Sequence, residues 1–168
     1  VNIVGLQQVI AGNTIGLNWS TILLQQEKSL ESEHRYSAPY YKYLDGDVDH
    51  LSVSKDEKEE LTKGKIQWVS FKQHFFSAVL LPQTPFTKGN LEVKISTEPG
   101  KIKWYNANMK LSFNQLANQS YPMTFYFGDN KFSHLKDQGH EIEKLVDMGY
   151  WPLKYINRWI VLPVFNFL

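Results

Sequence analysis

Apolar and polar residues alternate along much of the first 127 residues, and this period of two restricts the fold more than any other feature. In the clearest segment, one face carries Ile15, Leu17, Trp19, Thr21 and Leu23. Residues 91–95 and 105–113 alternate in the same way. Successive side chains of a β-strand point to opposite faces, so each segment predicts a strand with one buried face. Several such strands joined by short turns predict a mainly β protein, with an antiparallel β-sandwich over residues 1–127.

Two neighbouring regions carry less regular strand signals. Residues 1–11 are a plausible partner of the strand at 15–23, because Gly12-Asn13 between them is a two-residue hairpin signal. Residues 68–81 end in a run that is apolar on both faces, which favours a central strand buried on both sides. Periodicity alone leaves a hairpin or a helix open for that second region.

Two further segments are distinguished by their composition. Residues 36–44 are rich in tyrosine, and Pro39 among them lacks an amide donor, which favours an edge strand. Residues 54–61 are highly charged, and Ser54 with Glu57 three residues later forms a capping box. We therefore expect a short solvated helix or loop there, rather than an acidic patch that binds a partner.

The pattern changes after Phe127. Residues 128–130 offer a helix N-cap, which predicts a short helix through about Lys136 that Gly139 would stop. Residues 141–146 form a second short helical candidate.

Residues 151–168 form the longest helical candidate. Lys154 and Arg158 lie on one side of its first two turns, and the residues that follow are apolar nearly all round. Residue types alone leave two interpretations open. The segment is either a helix at a membrane surface or a terminal helix docked on the sandwich, with Trp159 and Phe165 as core residues.

One acidic stretch matches part of a calcium-binding loop. Its first, third and fifth positions are acidic: Asp45, Asp47 and Asp49. The sixth position needs a glycine and holds His50, and the twelfth needs a glutamate and holds Asp56. An acidic turn is therefore favoured over a calcium site.

No other combination of residues forms a recognisable catalytic, cofactor or metal site. His134 and His140 are six residues apart, a spacing that does not put both rings on one helical face for zinc. Nucleophile-elbow and phosphate-loop motifs are absent, and the chain has no cysteine. With 18 basic and 17 acidic residues, the charge argues against nucleic acid as a partner. We expect no enzyme activity and no cofactor.

Four segments, in order along the chain, resemble the periplasmic domain of the YidC-type (Oxa-like) membrane protein insertases. They are residues 68–81 (WVSFKQHFFSAVLL), 121–130 (YPMTFYFGDN), 143–151 (EKLVDMGYW) and 159–168 (WIVLPVFNFL). In the second segment, Asp129 stands where the family commonly has proline. Residues before 68 match only loosely, as sandwich strands.

The resemblance implies the carboxy-terminal part of that domain, a β-supersandwich of the galactose mutarotase-like type followed by short helices. The whole protein would be an inner-membrane insertase and chaperone of a Gram-negative bacterium, with this part facing the periplasm. A transmembrane helix would precede residue 1 and a transmembrane core would follow residue 168. The implied partners are the Sec translocon with its accessory subunits, and nascent membrane proteins.

The resemblance also implies a division of the chain and a role for its last segment. Residues 1–127 would form the sandwich, residues 128–150 short helices and a loop packed on it, and residues 151–168 an amphipathic helix at the membrane surface. We assign the contact with the membrane interface to Trp151, Lys154, Arg158, Trp159 and Phe165.

Two alternatives remain open beside this interpretation. The fold analogy permits a carbohydrate-binding or carbohydrate-modifying sandwich, because one fold hosts many functions. Its aromatic platform and carboxylates would come from a single region: Tyr36, Tyr40, Tyr41, Tyr43, Asp45 and Asp47. A cleft with a carboxylate pair and a histidine over an aromatic floor would favour this alternative. The other alternative is a structural spacer without a specific partner.

Overall fold

The computed structural model describes residues 1–6, 8–10 and 12–146 of the chain. It contains two compact units, Val1–Asn130 and Lys131–Leu168. The first unit is built from eleven strands: β1 (Asn2–Val4), β2 (Thr14–Leu24), β3 (Ala38–Tyr43), β4 (Val48–His50), β5 (Glu57–Leu61), β6 (Ile66–Lys72), β7 (Phe76–Pro82), β8 (Lys88–Ile95), β9 (Lys101–Ser112), β10 (Asn118–Ser120) and β11 (Met123–Asp129). Among the described residues of this unit, one helix, α1 (Leu30–Tyr36), interrupts the strands.

The strands form two main antiparallel sheets that pack face to face. One sheet has the order β11-β7-β6-β3-β4 and the other the order β2-β9-β8-β5, while β1 and β10 form a small separate pair. The two facing layers meet in aromatic contacts, such as the stacked rings of Trp19 and Phe71, whose centroids are 4.0 Å apart. Tyr105 and Leu91 of the second sheet are fully buried in the same core. This is the antiparallel β-sandwich that the sequence predicts.

The alternating segments behave as expected. Strand β2 alternates between exposed and partly buried residues, and the buried positions of β8 and β9 also follow the period of two at Leu91, Val93 and Tyr105. Residues 68–81 do not form one central strand. They fold as the β6–β7 hairpin, the alternative that periodicity left open, and Gln73 N donates to Phe76 O to close the turn.

The predicted helix or loop at residues 54–61 is wrong over most of its length, because residues 57–61 form strand β5. Alternate side chains of this strand point inward, and Leu61 is fully buried. The carboxylate of Glu59 accepts a hydrogen bond from the hydroxyl of Tyr41, and that of Glu57 accepts one from the amide of Ser52. Edge strands commonly carry charges, so the same charges that resemble a helix start also suit the edge of a sheet.

Two expected positions in the sheets also differ. Strand β1 pairs with β10 rather than with β2, and β2 pairs with β9 instead. Strand β3 is not an edge strand, because β4 lies beside it. Leu51 N donates to Pro39 O, so Pro39 lies opposite Leu51 at the end of the three-residue ladder between β3 and β4. Its missing amide leaves one bond at this end of the ladder where another residue would make two.

The second unit contains α2 (Phe132–Asp137) and a short 3₁₀ helix (Ile142–Leu145), which contact each other. Both helices lie where the sequence predicts short helices. The N-cap of α2 is predicted at residues 128–130, but the cap position is Lys131, whose side chain makes no capping hydrogen bond. Gly139 has a φ of 69°, the left-handed conformation that ends a helix. The helix predicted for residues 151–168 lies outside the described residues. Within the described part, no helix is long and apolar enough to cross a membrane.

Candidate functional site

A groove runs along one side of the sandwich, where the edge strand β2 of one sheet faces β7 and the edge strand β11 of the other. It has two connected parts that share Gln73 and Phe76. We call them the apolar part and the acidic end. All of their lining residues belong to the first compact unit.

The apolar part has a volume of about 410 Å³. Its lining comes from four strands and one turn: Trp19, Thr21 and Leu23 of β2, Phe71 of β6, Gln73 in the β6–β7 turn, Phe76, Ser77 and Ala78 of β7, and Phe127 and Gly128 of β11. Phe76 is 61% exposed and Phe127 is 71% exposed. Exposed aromatic side chains clustered in one concavity are typical of an interaction surface rather than of scattered surface residues.

The aromatic rings along this part are ordered by one another. Phe125 and Phe127 project from the same face of β11, and their rings stack with centroids 5.6 Å apart. The ring of Trp19 meets Phe125 edge-on at 5.8 Å and stacks on Phe71. The exposed rings therefore continue a ladder that begins in the core, which holds them in place without burying them.

The acidic end has a volume of about 480 Å³ and combines apolar and acidic residues. It is lined by Ile22, Leu24, Gln26, Glu27, Glu33, Ser37, Gln73, His74, Phe75, Phe76 and Ile102. Nδ1 of His74 lies 2.7 Å from Oε1 of Glu27. The imidazole is stacked between the rings of Tyr36 at 4.4 Å and Phe75 at 4.0 Å. This three-ring stack fixes the histidine, which in turn orients the Glu27 carboxylate.

Glu33 is the second acid of this end, and its two carboxylate oxygens differ. Oε1 accepts a hydrogen bond of 2.8 Å from the backbone amide of Gln26. Oε2 has no hydrogen-bond partner, although the residue is only 4% exposed. A buried carboxylate oxygen without a partner is costly, and such atoms are uncommon in folded proteins. Glu33 lines the acidic end and keeps this second oxygen inside the protein, without a donor.

Asn130 positions the hairpin turn that separates the two parts. Its side-chain amide donates to the carbonyl oxygens of Gln73 and His74 at 2.8 and 3.0 Å, and its Oδ1 accepts from the hydroxyl of Ser77. Its backbone amide donates to Phe75 O. The sequence predicts this residue as part of a helix cap. Its bonds instead hold the turn that carries the rim of the groove.

A buried lysine lies behind the acidic end. Nζ of Lys103 donates to three backbone carbonyls, those of His34, Ser37 and Val53, at 2.6–2.7 Å. Burial lowers the pKa of Lys103 to about 8, and the nearby charge of Lys72 acts in the same direction. Because its ammonium is bonded to these carbonyls, Lys103 ties α1 and the start of β3 to the loop before β5.

Most sequence-predicted site residues lie elsewhere. The residues assigned to the membrane interface, Trp151, Lys154, Arg158, Trp159 and Phe165, are outside the described residues. Asp45 lies in the β3–β4 turn, as expected for an acidic turn. Within residues 1–6, 8–10 and 12–146, no group of three or more acidic or histidine side chains is arranged to hold a metal ion.

The tyrosines of the alternative sugar platform are not gathered at one surface, since the ring of Tyr36 stacks on His74 at the acidic end and that of Tyr40 lies against His50. Tyr41 is buried, its hydroxyl donates to Glu59 at 2.9 Å, and its ring packs edge-on against Tyr43. A carboxylate pair and a histidine do occur together beside aromatic rings, but in the groove, at Glu27, Glu33 and His74. Sequence reasoning missed these three residues because no short motif links them.

Comparison with known proteins gives a consistent result. The family described as the YidC periplasmic domain matches residues 13–166. Proteins named "Membrane protein insertase YidC" are similar to this chain: that of Parabacteroides distasonis is 33% identical over 98% of the chain, that of Bacteroides fragilis 35% over 93%, and that of Phocaeicola vulgatus 33% over 93%. The chain spans only about a quarter of these relatives, 26–27% of their length. None of these names supports a carbohydrate function.

Proposed function

Because the chain belongs to the YidC periplasmic domain family, we propose that it serves a membrane protein insertase from the periplasmic side of the inner membrane. The family match over residues 13–166 carries this proposal. In it, the domain catalyses no reaction and assists the insertion and folding of membrane proteins, alone or beside the Sec translocon. An exposed aromatic groove on a rigid sandwich supports a role in binding, since binding surfaces are placed on rigid scaffolds.

The proposal is tested by transplanting the chain into the Bacteroides fragilis insertase in place of the residues it matches. The cell's own insertase is then depleted, and insertion of a reporter membrane protein is followed by protease accessibility. We expect the chimera to support insertion, and a chimera carrying a flexible linker of equal length to support less. Equal insertion by the two chimeras would contradict the proposal.

The proposed partners on the periplasmic side are the Sec translocon with its accessory subunits and nascent membrane proteins. To probe contact with these partners, Phe127 on the rim of the groove is replaced by a photoreactive amino acid in the same chimera. The matched control position is Leu116, which is also exposed but does not line the groove. Cross-links to these proteins from position 127 and not from position 116 are expected. Equal cross-linking from both positions would contradict the groove as the contact surface.

For the last segment we propose contact with the membrane surface through Trp151, Lys154, Arg158, Trp159 and Phe165. Tryptophan beside lysine and arginine is favoured at a bilayer interface, where rings lie at headgroup depth and cations reach outward. A vesicle-binding assay compares the chain with a version that ends at Gly149. We expect the shortened chain to bind vesicles of anionic phospholipid more weakly, and equal binding would contradict the assignment.

A further inference from the structure

We propose that the groove binds an extended polypeptide segment. Apolar side chains of the segment fill the apolar part, and a lysine or arginine side chain enters the acidic end and reaches Glu33. This names the ligand of the groove and deepens the proposed function. The proposal rests on the proposed function only in one respect, namely which protein supplies the bound segment in the cell.

The apolar part provides the first argument. Rings of Phe76 and Phe127 form its rim, and Trp19 and Leu23 lie on the opposite strand. Each aromatic ring that a ligand covers adds apolar area removed from water, which is the main driving force of association. A ligand of this part must therefore carry apolar side chains.

The strand edges beside the groove provide the second argument. In the part of the chain that the structure describes, β2 and β11 each have a neighbouring strand on one side only. The free side of an edge strand presents backbone amides and carbonyls, which an extended peptide satisfies by adding a strand. A polypeptide can thus use both the apolar lining and a strand edge beside it.

The acidic end provides the third argument, and it selects the charge of the ligand. Oε2 of Glu33 is buried and lacks a partner, and Glu27 stands in the same cavity with its Oε1 at His74. A lysine ammonium or an arginine guanidinium that enters along the apolar wall of Ile22 and Leu24 would meet two acidic side chains, Glu27 and Glu33, in a lining that contains no lysine or arginine. Long cationic side chains suit such a site because their stems are apolar and their ends are donors.

The test is a fluorescence anisotropy titration of the 168-residue chain against labelled ten-residue peptides. The probe peptide alternates serine with leucine or phenylalanine and carries one central arginine. One comparison peptide has glutamate in place of arginine, and a second has serine in place of every apolar residue. We expect the arginine peptide to bind at least tenfold more tightly than either, since a charged hydrogen bond and the apolar contacts are each worth a factor of that order.

Variants locate the binding site. Glu33→Gln keeps an oxygen for the Gln26 amide but removes the charge, so it should weaken binding of the arginine peptide about tenfold and that of the glutamate peptide not at all. Phe127→Ser should weaken binding of the arginine peptide severalfold. The matched controls are Glu60→Gln, an exposed acid paired with Lys58 on β5, and Leu116→Ser, an exposed apolar residue outside the groove. Neither control should change the affinity.

Three results would overturn the proposal. The first is equal affinity for the arginine and glutamate peptides, or an unchanged affinity in Glu33→Gln with its fold verified by circular dichroism. The second is binding of a neutral oligosaccharide that competes with the peptide at the groove. The third is that the arginine peptide binds the 168-residue chain but does not bind the insertase chimera that carries this chain. Other parts of the protein would then cover the groove. The binding titration does not depend on insertion, so it can fail while the chimera remains active.

Discussion

The two sides of the sandwich at which sheet edges face each other differ in how their aromatic and acidic residues are used. On the side of β3, β4 and β5, which we call the sealed side, Tyr41 is buried and its hydroxyl donates to Glu59. Leu61 is fully buried beside them. On the groove side, Phe127 is 71% exposed and Oε2 of Glu33 has no partner.

The difference separates residues that stabilise the fold from residues that do not. A buried aromatic side chain stabilises a protein by about 1.5–3 kcal/mol relative to an exposed one, and a satisfied acid avoids the cost of burial. Acids on both sides have partners, since Glu27 pairs with His74 on the groove side, and the buried hydroxyl of Tyr43 lacks a partner on the sealed side. The difference that remains is the exposure of Phe76 and Phe127, which folding stability does not account for and which our proposal assigns to binding.

The largest expected effect concerns Lys103, whose ammonium joins α1 to the loop before β5. Lys103→Met keeps roughly the length of the side chain but removes the ammonium donor from the carbonyls of His34, Ser37 and Val53, of which His34 O still accepts from Ser37 N. We expect a loss of about 3 kcal/mol in the free energy of unfolding at pH 7, measured by urea denaturation. Lys101→Met on the same strand removes an exposed pair with Glu98 and should cost less than about 1 kcal/mol. Equal losses in the two variants would contradict the role of Lys103.

The next effect is a rise between pH 8 and pH 10 in the stability that Lys103 contributes. The pKa of Lys103 is lowered to about 8 in the folded chain, so in this range the unfolded chain holds a proton that the folded chain has released. Lys103 alone then contributes stability that increases with pH, by about 2 kcal/mol over the interval, since one pKa unit corresponds to about 1.4 kcal/mol. Lys103→Met should abolish this contribution, so the difference in stability between the two proteins should grow from pH 8 to pH 10, and a constant difference would contradict it.

Above pH 10 the direction reverses. Burial raises the pKa of Tyr105 and of Tyr41, whose bond to Glu59 adds to the effect, so both stay neutral in the folded chain while unfolded tyrosines ionise. Folded tyrosines then hold protons that the unfolded chain has lost, and stability falls. Tyr41→Phe should make that fall less steep. At pH 7 it should cost about 1–2 kcal/mol, because Glu59 loses its donor. An unchanged slope above pH 10 would contradict this account.

The smallest expected effect has the opposite sign and lies in the groove. Glu33→Gln removes a buried charge but keeps an acceptor for the amide of Gln26, so we expect unfolding free energy to rise by about 0.5–1 kcal/mol. Thermal denaturation of the two proteins measures it. A loss of more than about 1 kcal/mol would show that the second oxygen of Glu33 serves the fold and not a ligand.

Local patterns in the sequence predict the strands well where one face is buried and the other is wet, as in β2, β8 and β9. They fail where the same charged residues are compatible with two structures, the start of a helix and the edge of a sheet. Ser54 and Glu57 have the spacing of a helix start, yet Glu57 lies in an edge strand and accepts from Ser52 N. The pairing of β1 with β10 joins residues more than 100 positions apart, and no local pattern encodes such a distance.

The groove could not be predicted for the same reason. Glu27, Glu33 and His74 come from a loop, a helix and a hairpin turn, and only the sheet order brings them into one cavity. Asn130 has the composition of a helix cap, but its bonds go to the turn at Gln73 and His74. The resemblance of residues 68–81 to the family was the sequence signal closest to the groove, since the hairpin they form carries part of its rim.

The most direct test of the difference between the two sides is a chemical-shift map of the chain, recorded by NMR as the arginine peptide is added. The account predicts that the indole resonance of Trp19 and the amide resonances of Phe76 and Phe127 move, while those of Tyr41 and Glu59 on the sealed side stay in place. Shifts confined to the sealed side, or no shifts at peptide concentrations above the measured Kd, would contradict it.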